Sequence, residues 1–302
     1  MEQWDVVGIG SVSVDIAGAI PFWPQPGTKL KLENLDLCDG GLIGTALVTV
    51  SRLGGKACYL GKMGDSEWAI RALEQLSREG VETSLVVHQE DAGPHFAIVL
   101  TLQEDGQRTI FYSKAAVQYP DSTQVAGESW LRRTRVFLFD AGSGKAGLSL
   151  ALEARRAGIP VVIDAEQPVP SLEEMLLAAD HLVIPESLAQ ELDPGWLRAL
   201  DPRPLRRRRE QTVVVTRGGE GCIASGPDGA VLRLPAFTVE VVDTTGCGDV
   251  FHGAYALGLA RGLDLRSRCR WASAAAALAA TRLGGRTGIP TADAVQRLLR
   301  GR

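Results

Sequence analysis

Short, uninterrupted apolar runs alternate along this chain with stretches whose apolar residues recur at helical spacing. Asp5-Val6-Val7-Gly8-Ile9-Gly10 is an apolar run closed by glycine and predicts a buried strand from Trp4 to Gly10. Thr45 to Leu53 carries helical spacing and stops at Gly54-Gly55. Ala57 to Gly61 reads as a strand, and Ser66 to Glu79 as a helix with Ser66 as its cap and Gly80 as its stop. The rhythm continues with strands at Val136–Phe139, Val161–Ile163, Leu182–Ile184 and Val213–Val215. Helices are predicted at Gly147–Ala157 and Leu172–Ala179, then at Val250–Arg261, Leu265–Leu283 and Thr291–Leu299. Strands that are apolar throughout are covered on both faces. The predicted fold class is therefore α/β, with a mostly parallel central sheet between helical layers.

Two stretches follow a different period. Lys29 to Leu37 alternates apolar and polar residues, as do parts of His95 to Leu102 and Arg108 to Tyr112, joined by the turn Glu104-Asp105-Gly106-Gln107. Such strands keep one face wet. They predict a small β-sheet lid, made of about residues 12–39 and 93–115, on a single domain spanning 1–302. A lid of this kind closes over a site and excludes water.

Composition narrows the partners. The 302 residues are 45% hydrophobic and 23% charged, enough for one large core with a small appendage. A net charge of -4 argues against nucleic acid as a partner. The one basic run, Arg206 to Arg209, sits among prolines and reads as a solvated loop. Five scattered cysteines, with no C-x-x-C or His-x-x-x-His spacing, signal neither a disulfide framework nor a zinc site. No signal-peptide pattern is visible, and the longest apolar run, Ala272 to Ala280, is too short to span a bilayer. A cytoplasmic protein with reduced thiols and no membrane partner is the expectation.

The chemistry concentrates in Val242-Asp243-Thr244-Thr245-Gly246-Cys247-Gly248-Asp249-Val250-Phe251-His252-Gly253. Gly246 and Gly248 permit a sharp turn that exposes backbone N–H groups. The helix that follows adds unpaired donors and the positive end of its dipole, which together make an anion site. Asp249 stands at the mouth of that site, where it can take a proton from an attacking hydroxyl. That combination suits phosphoryl transfer to an alcohol. The simpler alternative is a strand-to-helix turn with a capping aspartate.

Asp243-Thr244-Thr245-Gly246-Cys247-Gly248-Asp249 resembles the C-terminal signature D-T-x-G-A-G-D of the ribokinase-like (PfkB-type) carbohydrate kinases, with Cys247 where alanine is usual. Gly40-Gly41, followed by Arg52-Leu53-Gly54, resembles the N-terminal signature, with Thr45 where the family usually has asparagine. Asp15 matches the sugar-binding aspartate, and Thr216-Arg217-Gly218-Gly219-Glu220-Gly221 resembles the T-x-G-x-x-G turn beside the nucleotide. The resemblance covers essentially the whole chain. It implies a ribokinase-like three-layer αβα fold with a β-sheet lid, and an ATP-dependent sugar kinase. Asp249 then resembles the base, and the amides of Gly246, Cys247 and Gly248 the cradle of the transferring phosphoryl group. Asp15, Lys29, Gly40, Gly41 and Thr45 would meet the sugar; Thr216, Gly218 and Gly221 would face ATP.

One departure bears on the metal. Where the family often has N-x-x-E, this chain reads Glu186-Ser187-Leu188-Ala189. Glu186 remains a residue that can order water around Mg²⁺. Asp243, Thr245 and the loop Gly284-Gly285-Arg286-Thr287-Gly288 are the place the resemblance implies for a monovalent cation, K⁺. The C-terminal patterns look most like ketose-directed members, including ketohexokinase-like and sulfofructose-kinase-like enzymes. Lys29, Lys31, Arg108 and Lys114 give the lid region a positive cast: pointing inward they would favour an anionic sugar, pointing outward a neutral one. His252, one turn beyond Asp249, reads as a packing or supporting residue. Two alternatives stand beside the sugar kinase. A nucleoside kinase of the same fold would need an aromatic sandwich from Phe22, Trp23, Phe96 or Phe111. A regulator that binds sugar or nucleotide without turnover is the other. An NAD-binding protein fails, because Gly8 and Gly10 are followed by Ser11-Val12-Ser13 and not by G-x-x-G. A homodimer through the lid edge is the expected assembly.

Overall fold

The computed structural model describes residues 3–104, 108–125 and 129–301. The chain opens with β1 (Trp4–Ile9), passes outward into β2 (Ser13–Ile20) and returns through β3 (Glu33–Gly40) to α1 (Leu42–Arg52). Next come β4 (Ala57–Met63), α2 (Glu67–Arg78) and β5 (Val81–His88), then the pair β6 (His95–Leu102) and β7 (Arg108–Ser113). The second half runs α3 (Ser129–Arg133), β8 (Thr134–Asp140), α4 (Gly144–Arg156), β9 (Val161–Asp164), α5 (Leu172–Ala178) and β10 (His181–Pro185). After α6 (Glu186–Leu192) and α7 (Trp196–Ala199) follow β11 (Thr212–Thr216), β12 (Cys222–Ser225) and β13 (Val231–Leu234). Three helices close the chain: α8 (Cys247–Ala260), α9 (Leu265–Ala279) and α10 (Ala292–Leu299).

Nine strands form the main sheet in the order β13-β12-β11-β10-β9-β8-β1-β4-β5. Every pairing from β5 across to β11 is parallel; only the β11–β12 and β12–β13 pairings are antiparallel. Successive strand residues feed two different cores. Val6, Leu138, Val162, Val183 and Val214 pack with α1, α8 and α9 on one face. Val7, Phe137, Phe139, Ile163 and Val213 pack with α4, α5 and Trp196 on the other. This three-layer arrangement explains why the strand sequences show no polar alternation. It also brings the C-terminal ends of β1, β8, β9, β10 and β11 to one edge, the place where open α/β sheets hold ligands.

The second sheet has the order β3-β2-β6-β7 and forms the lid. β2 and β6 run parallel, in register from Ser13 with His95 to Ile20 with Leu102. Of the predicted turn between β6 and β7 at 104–107, residues 105–107 lie outside the described residues.

Helix caps were well marked in the sequence: Ser66 accepts from the Ala69 N–H at 3.2 Å. Several boundaries differ from the expectation. α1 starts at Leu42, before Thr45, and α8 starts at Cys247, before Val250, because in each case a left-handed glycine ahead of the apolar run turns the chain into the helix. α9 ends at Ala279, short of Leu283, where the chain turns back toward the site. Lys29 to Leu32 is not strand despite its alternation: β2 finds its last partner in the Ala19–Glu33 pair, so nothing remains for those residues to bond.

Candidate active site

The turn into α8 is built around Gly246, whose φ is 72°. A Cβ there would also lie 2.7 Å from the Gly285 carbonyl oxygen, so this turn and this close approach both require glycine. Among the described residues the amides of Gly246 and Gly248 make no backbone hydrogen bond, whereas the Cys247 N–H turns back to the Thr244 carbonyl at 3.2 Å. Free amides at the positive end of a 14-residue helix are donors waiting for an anion. Asp243 faces inward as a clasp. Its Oδ1 accepts from the Thr245 N–H at 2.9 Å and the Thr245 hydroxyl at 2.7 Å, and its Oδ2 accepts from the Gly284 N–H at 2.9 Å. The carboxylate thus joins the anion loop to the loop after α9.

Asp249 lies in the first turn of α8, half-buried. Burial raises its pKa well above the usual carboxylate range; Asp164 and Glu166 push the same way, and Arg286 opposes them. Asp164, at the end of β9, is buried, and among the described residues neither of its carboxyl oxygens has a hydrogen-bond partner. His252 Nδ1 lies 3.3 Å from its Oδ2. His252 is itself buried between two carbonyls, with Nδ1 2.8 Å from Gly248 O and Nε2 2.9 Å from Val183 O. Burial lowers the His252 pKa, and the two carbonyls resist that shift. The ring ties β9 and β10 to the peptide that carries Asp249.

A cavity of about 320 Å³ opens beside this loop. Thr216, Gly218 and Gly221 line one side of it; Cys247, Gly248 and Phe251 line the other. Two sequence motifs separated by some 25 residues therefore share one concavity. Glu186 lies at the start of α6, where its Oε1 accepts from Arg217 Nε at 2.6 Å and Trp196 Nε1 at 3.2 Å. Ala189 is buried in the core.

The opposite side of the site is assembled from distant segments. Asp15 sits on β2, with Ser13 donating to its Oδ2 at 3.2 Å. Gly40, in register with Ser13, is close enough that a Cβ there would be 2.7 Å from that same oxygen. Burial raises the Asp15 pKa, against the pull of Ser13 and Arg286. Gly41 caps α1, the Leu42 N–H donates to the Ser11 hydroxyl at 3.0 Å, and Thr45 is buried one turn in. Lys29 lies in the irregular segment before β3 with its side chain exposed, and Lys31 and Lys114 are exposed as well.

Arg286 is the residue that sequence reasoning missed. The sequence places it in a cation-binding glycine loop, yet its side chain is buried against Thr45 and Gly40. Nε donates to Thr45 Oγ1 at 3.3 Å, and Nη2 donates to the Gly40 carbonyl. Its own carbonyl is held by Arg52 Nη1 at 2.7 Å. The one signal was a lone charged residue inside a run of small ones.

Comparison with known proteins gives a consistent picture. The family described as pfkB family carbohydrate kinase matches residues 5–292. A ribokinase from Bacillus subtilis is 28% identical over 96% of this chain and 98% of its own. A nucleoside kinase from Methanothermobacter thermautotrophicus is 26% identical over 98% of this chain and 96% of its own. The structure of an Arabidopsis thaliana ribokinase complexed with ribose and ATP superposes with a TM-score of 0.85 at 22% identity, covering 99% of both chains.

Proposed function

The chain belongs to the pfkB family of carbohydrate kinases and is an ATP-dependent kinase with the ribokinase fold; from that premise we propose that it phosphorylates a primary hydroxyl of a carbohydrate, with Asp249 as the base. The observation that carries this reading is the position of Asp249 at the head of α8, beside the free amides of Gly246 and Gly248 and the cavity lined by Thr216, Gly218 and Gly221. In the proposed reaction the cavity holds ATP and the amides of Gly246 and Gly248 meet its γ-phosphoryl group; the Cys247 N–H, expected beside them, would join only by leaving the Thr244 carbonyl. The acceptor lies against Asp15, Gly40, Gly41 and Thr45. Asp249 takes the hydroxyl proton as the oxygen attacks phosphorus, and the loop donors meet the charge that develops.

Mg²⁺ supplies charge neutralisation to the phosphates when bound. Among the described residues no three His, Cys, Asp or Glu side chains converge as a direct metal cage. A hydrated ion arriving with the nucleotide fits that arrangement, since Mg²⁺ keeps most of its waters. Glu186 offers Oε2 toward such waters while Arg217 holds its other oxygen, and the unpartnered Asp164 is a second carboxylate suited to them. For K⁺, the proposed place is the loop that Asp243 clasps between Thr245 and Gly284, where backbone carbonyls would be its ligands.

A ketose is the acceptor the C-terminal patterns support. The three described lid lysines are exposed, which favours the neutral branch over a phosphate- or sulfonate-bearing sugar. The nucleoside reading lacks its aromatic sandwich: Phe22, Trp23 and Phe111 are exposed, and Phe96 packs on Trp68 at a centroid distance of 5.4 Å. A non-catalytic regulator would not need Asp249 placed at the anion loop. The exposed Leu35, Ile110 and Tyr112 of the lid support pairing with a second copy. No helix among the described residues is long and apolar enough to cross a membrane, and the five cysteines are free thiols, which fits the cytoplasmic reading.

The deciding experiment is a coupled ADP-release assay with Mg·ATP, with and without K⁺, over ketoses, aldoses, sugar phosphates, a sulfosugar and nucleosides. Sugar-dependent release that disappears in Asp249→Asn supports the proposal. A nucleoside-only signal, or none at all with ATP binding intact, overturns it.

A further inference from the structure

We propose that Arg286 is a specificity-determining residue of the acceptor pocket, where its guanidinium donates to an oxygen of an uncharged sugar that Asp15 also holds. The inference deepens the kinase reading and rests on it. Its first support is burial. Arg286 is 8% exposed, and a buried guanidinium persists only where charge and hydrogen bonds answer it. Four carboxylates act on it: Asp39, Glu79, Asp15 and Asp249. Two of those have arginines of their own. Asp39 pairs with Arg71 at 3.1 Å, and Glu79 takes a two-pronged pair from Arg52 at 2.6 and 2.8 Å. Asp15 and Asp249 are left to Arg286. They are the two carboxylates proposed to touch the acceptor.

The second support is hydrogen-bond capacity. A guanidinium has five N–H donors in a fixed plane. Arg286 uses Nε on Thr45 and one Nη2 donor on the Gly40 carbonyl. Among the described residues Nη1 makes no hydrogen bond. The third is the room made for it. A Cβ on Gly44 would come within 2.3 Å of Nη2, so α1 presents a bare backbone where the guanidinium lies. Thr45 serves as an anchor for Arg286. The guanidinium sits on the loop after α9, which Arg52 holds from behind through the carbonyls of Arg286 and Ile289.

Charge decides the acceptor class. In the reacting form, with Asp249 ionised to take the hydroxyl proton and Asp15 ionised beside it, Arg286 set against the two leaves an excess of one negative charge. An anionic group at that end would add a second in a poorly solvated pocket. A neutral polyol instead accepts from Nη1 and donates to Asp15. Lys29, Lys31 and Lys114 are exposed, so the buried cation at that end is Arg286.

The test compares Arg286→Gln, Arg286→Lys and Gly44→Ala on matched acceptors: a neutral ketose and its carboxylate, phosphate and sulfonate counterparts. Wild-type ADP release that is lost in Asp249→Asn is measured first, so failure of the kinase reading shows separately. Arg286→Gln is expected to raise the acceptor KM about 10- to 100-fold, the scale of one charged hydrogen bond, with the ATP KM within about twofold. Arg286→Lys falls between. Gly44→Ala keeps the charge, favours the helix and pushes the guanidinium aside, so it raises the acceptor KM even if Arg286→Gln fails to fold. An acceptor KM unchanged in Gly44→Ala and in a folded Arg286→Gln overturns the assignment. So does a wild-type preference of about tenfold or more for an anionic acceptor that vanishes in Arg286→Gln, because the guanidinium would then be reading an anion.

Discussion

The proposed phosphate side of this site comes from one continuous stretch, Asp243 to Asp249, together with the turn between β11 and β12, and it differs in kind from the proposed acceptor side. The acceptor side takes Asp15 from β2, Gly40 and Thr45 from the start of α1, and Arg286 from a loop some 240 residues later. The first is a local structure: a glycine turn and a helix end generate an anion site wherever they occur. The second exists only when β2, α1 and the loop after α9 are folded together. The phosphate side therefore rests on a short local sequence, and the acceptor side on the assembled fold.

Breaking the phosphate side has the largest effect. Asp249→Asn should lower turnover about 10²- to 10⁴-fold, as a lost general base does, while calorimetry still shows ATP and acceptor binding. Near-normal turnover would remove Asp249 from the mechanism. Gly246→Ala comes next. It forces a side chain into a φ of 72° and toward the Gly285 carbonyl, and turnover should drop about 10²-fold, the scale of one lost anion-hole donor. If its acceptor KM rises as much as its turnover falls, the two sides are coupled and not separate.

The buried acids sharpen the comparison through pH. Asp164 and Asp249 hold protons more tightly in the folded chain than in the unfolded one: burial disfavours the charge of both, Glu166 and Asp140 add to it at Asp164, and Asp164 and Glu166 add to it at Asp249. The folded state thus binds more protons, and stability falls as pH rises from the ordinary carboxylate range toward the raised values. Asp164→Asn removes part of that cost. Its melting temperature should exceed wild type by about 2 to 4 °C at neutral pH, with the gain vanishing below about pH 4. Differential scanning fluorimetry at both pH values checks the sign. The smallest effect is expected at Lys29, whose exposed side chain has no fixed partner: Lys29→Ala should leave the acceptor KM within about twofold. A tenfold rise would return the lid lysine to the pocket.

The same division explains what was legible beforehand. The parallel sheet was readable because Val6-Val7 and Phe137-Leu138 bury both neighbours, a pattern that only a doubly covered strand produces. Asp249 and the glycine turn were readable because their chemistry is local. β2 was missed because Ser13 to Ile20 mixes small and acidic residues and owes its strand form to partners on β3 and β6. Lys29 to Leu32 erred the other way, with a strand pattern but no strand beside it. Arg286 was invisible for a third reason. Its role depends on Thr45, Gly40 and Gly44, none of which is near it in sequence.

The Asp243 carboxylate gives the two sides a common joint, since it grips Thr245 in one loop and Gly284 in the other. A shift of the Arg286 loop on acceptor binding would be transmitted through that joint to the amides that receive phosphate. Occupancy of one substrate then tunes affinity for the other, and linkage makes the effect mutual. In initial-rate kinetics this appears as substrate synergism: the dissociation constant of ATP falls as sugar concentration rises, and Asp243→Asn flattens the dependence.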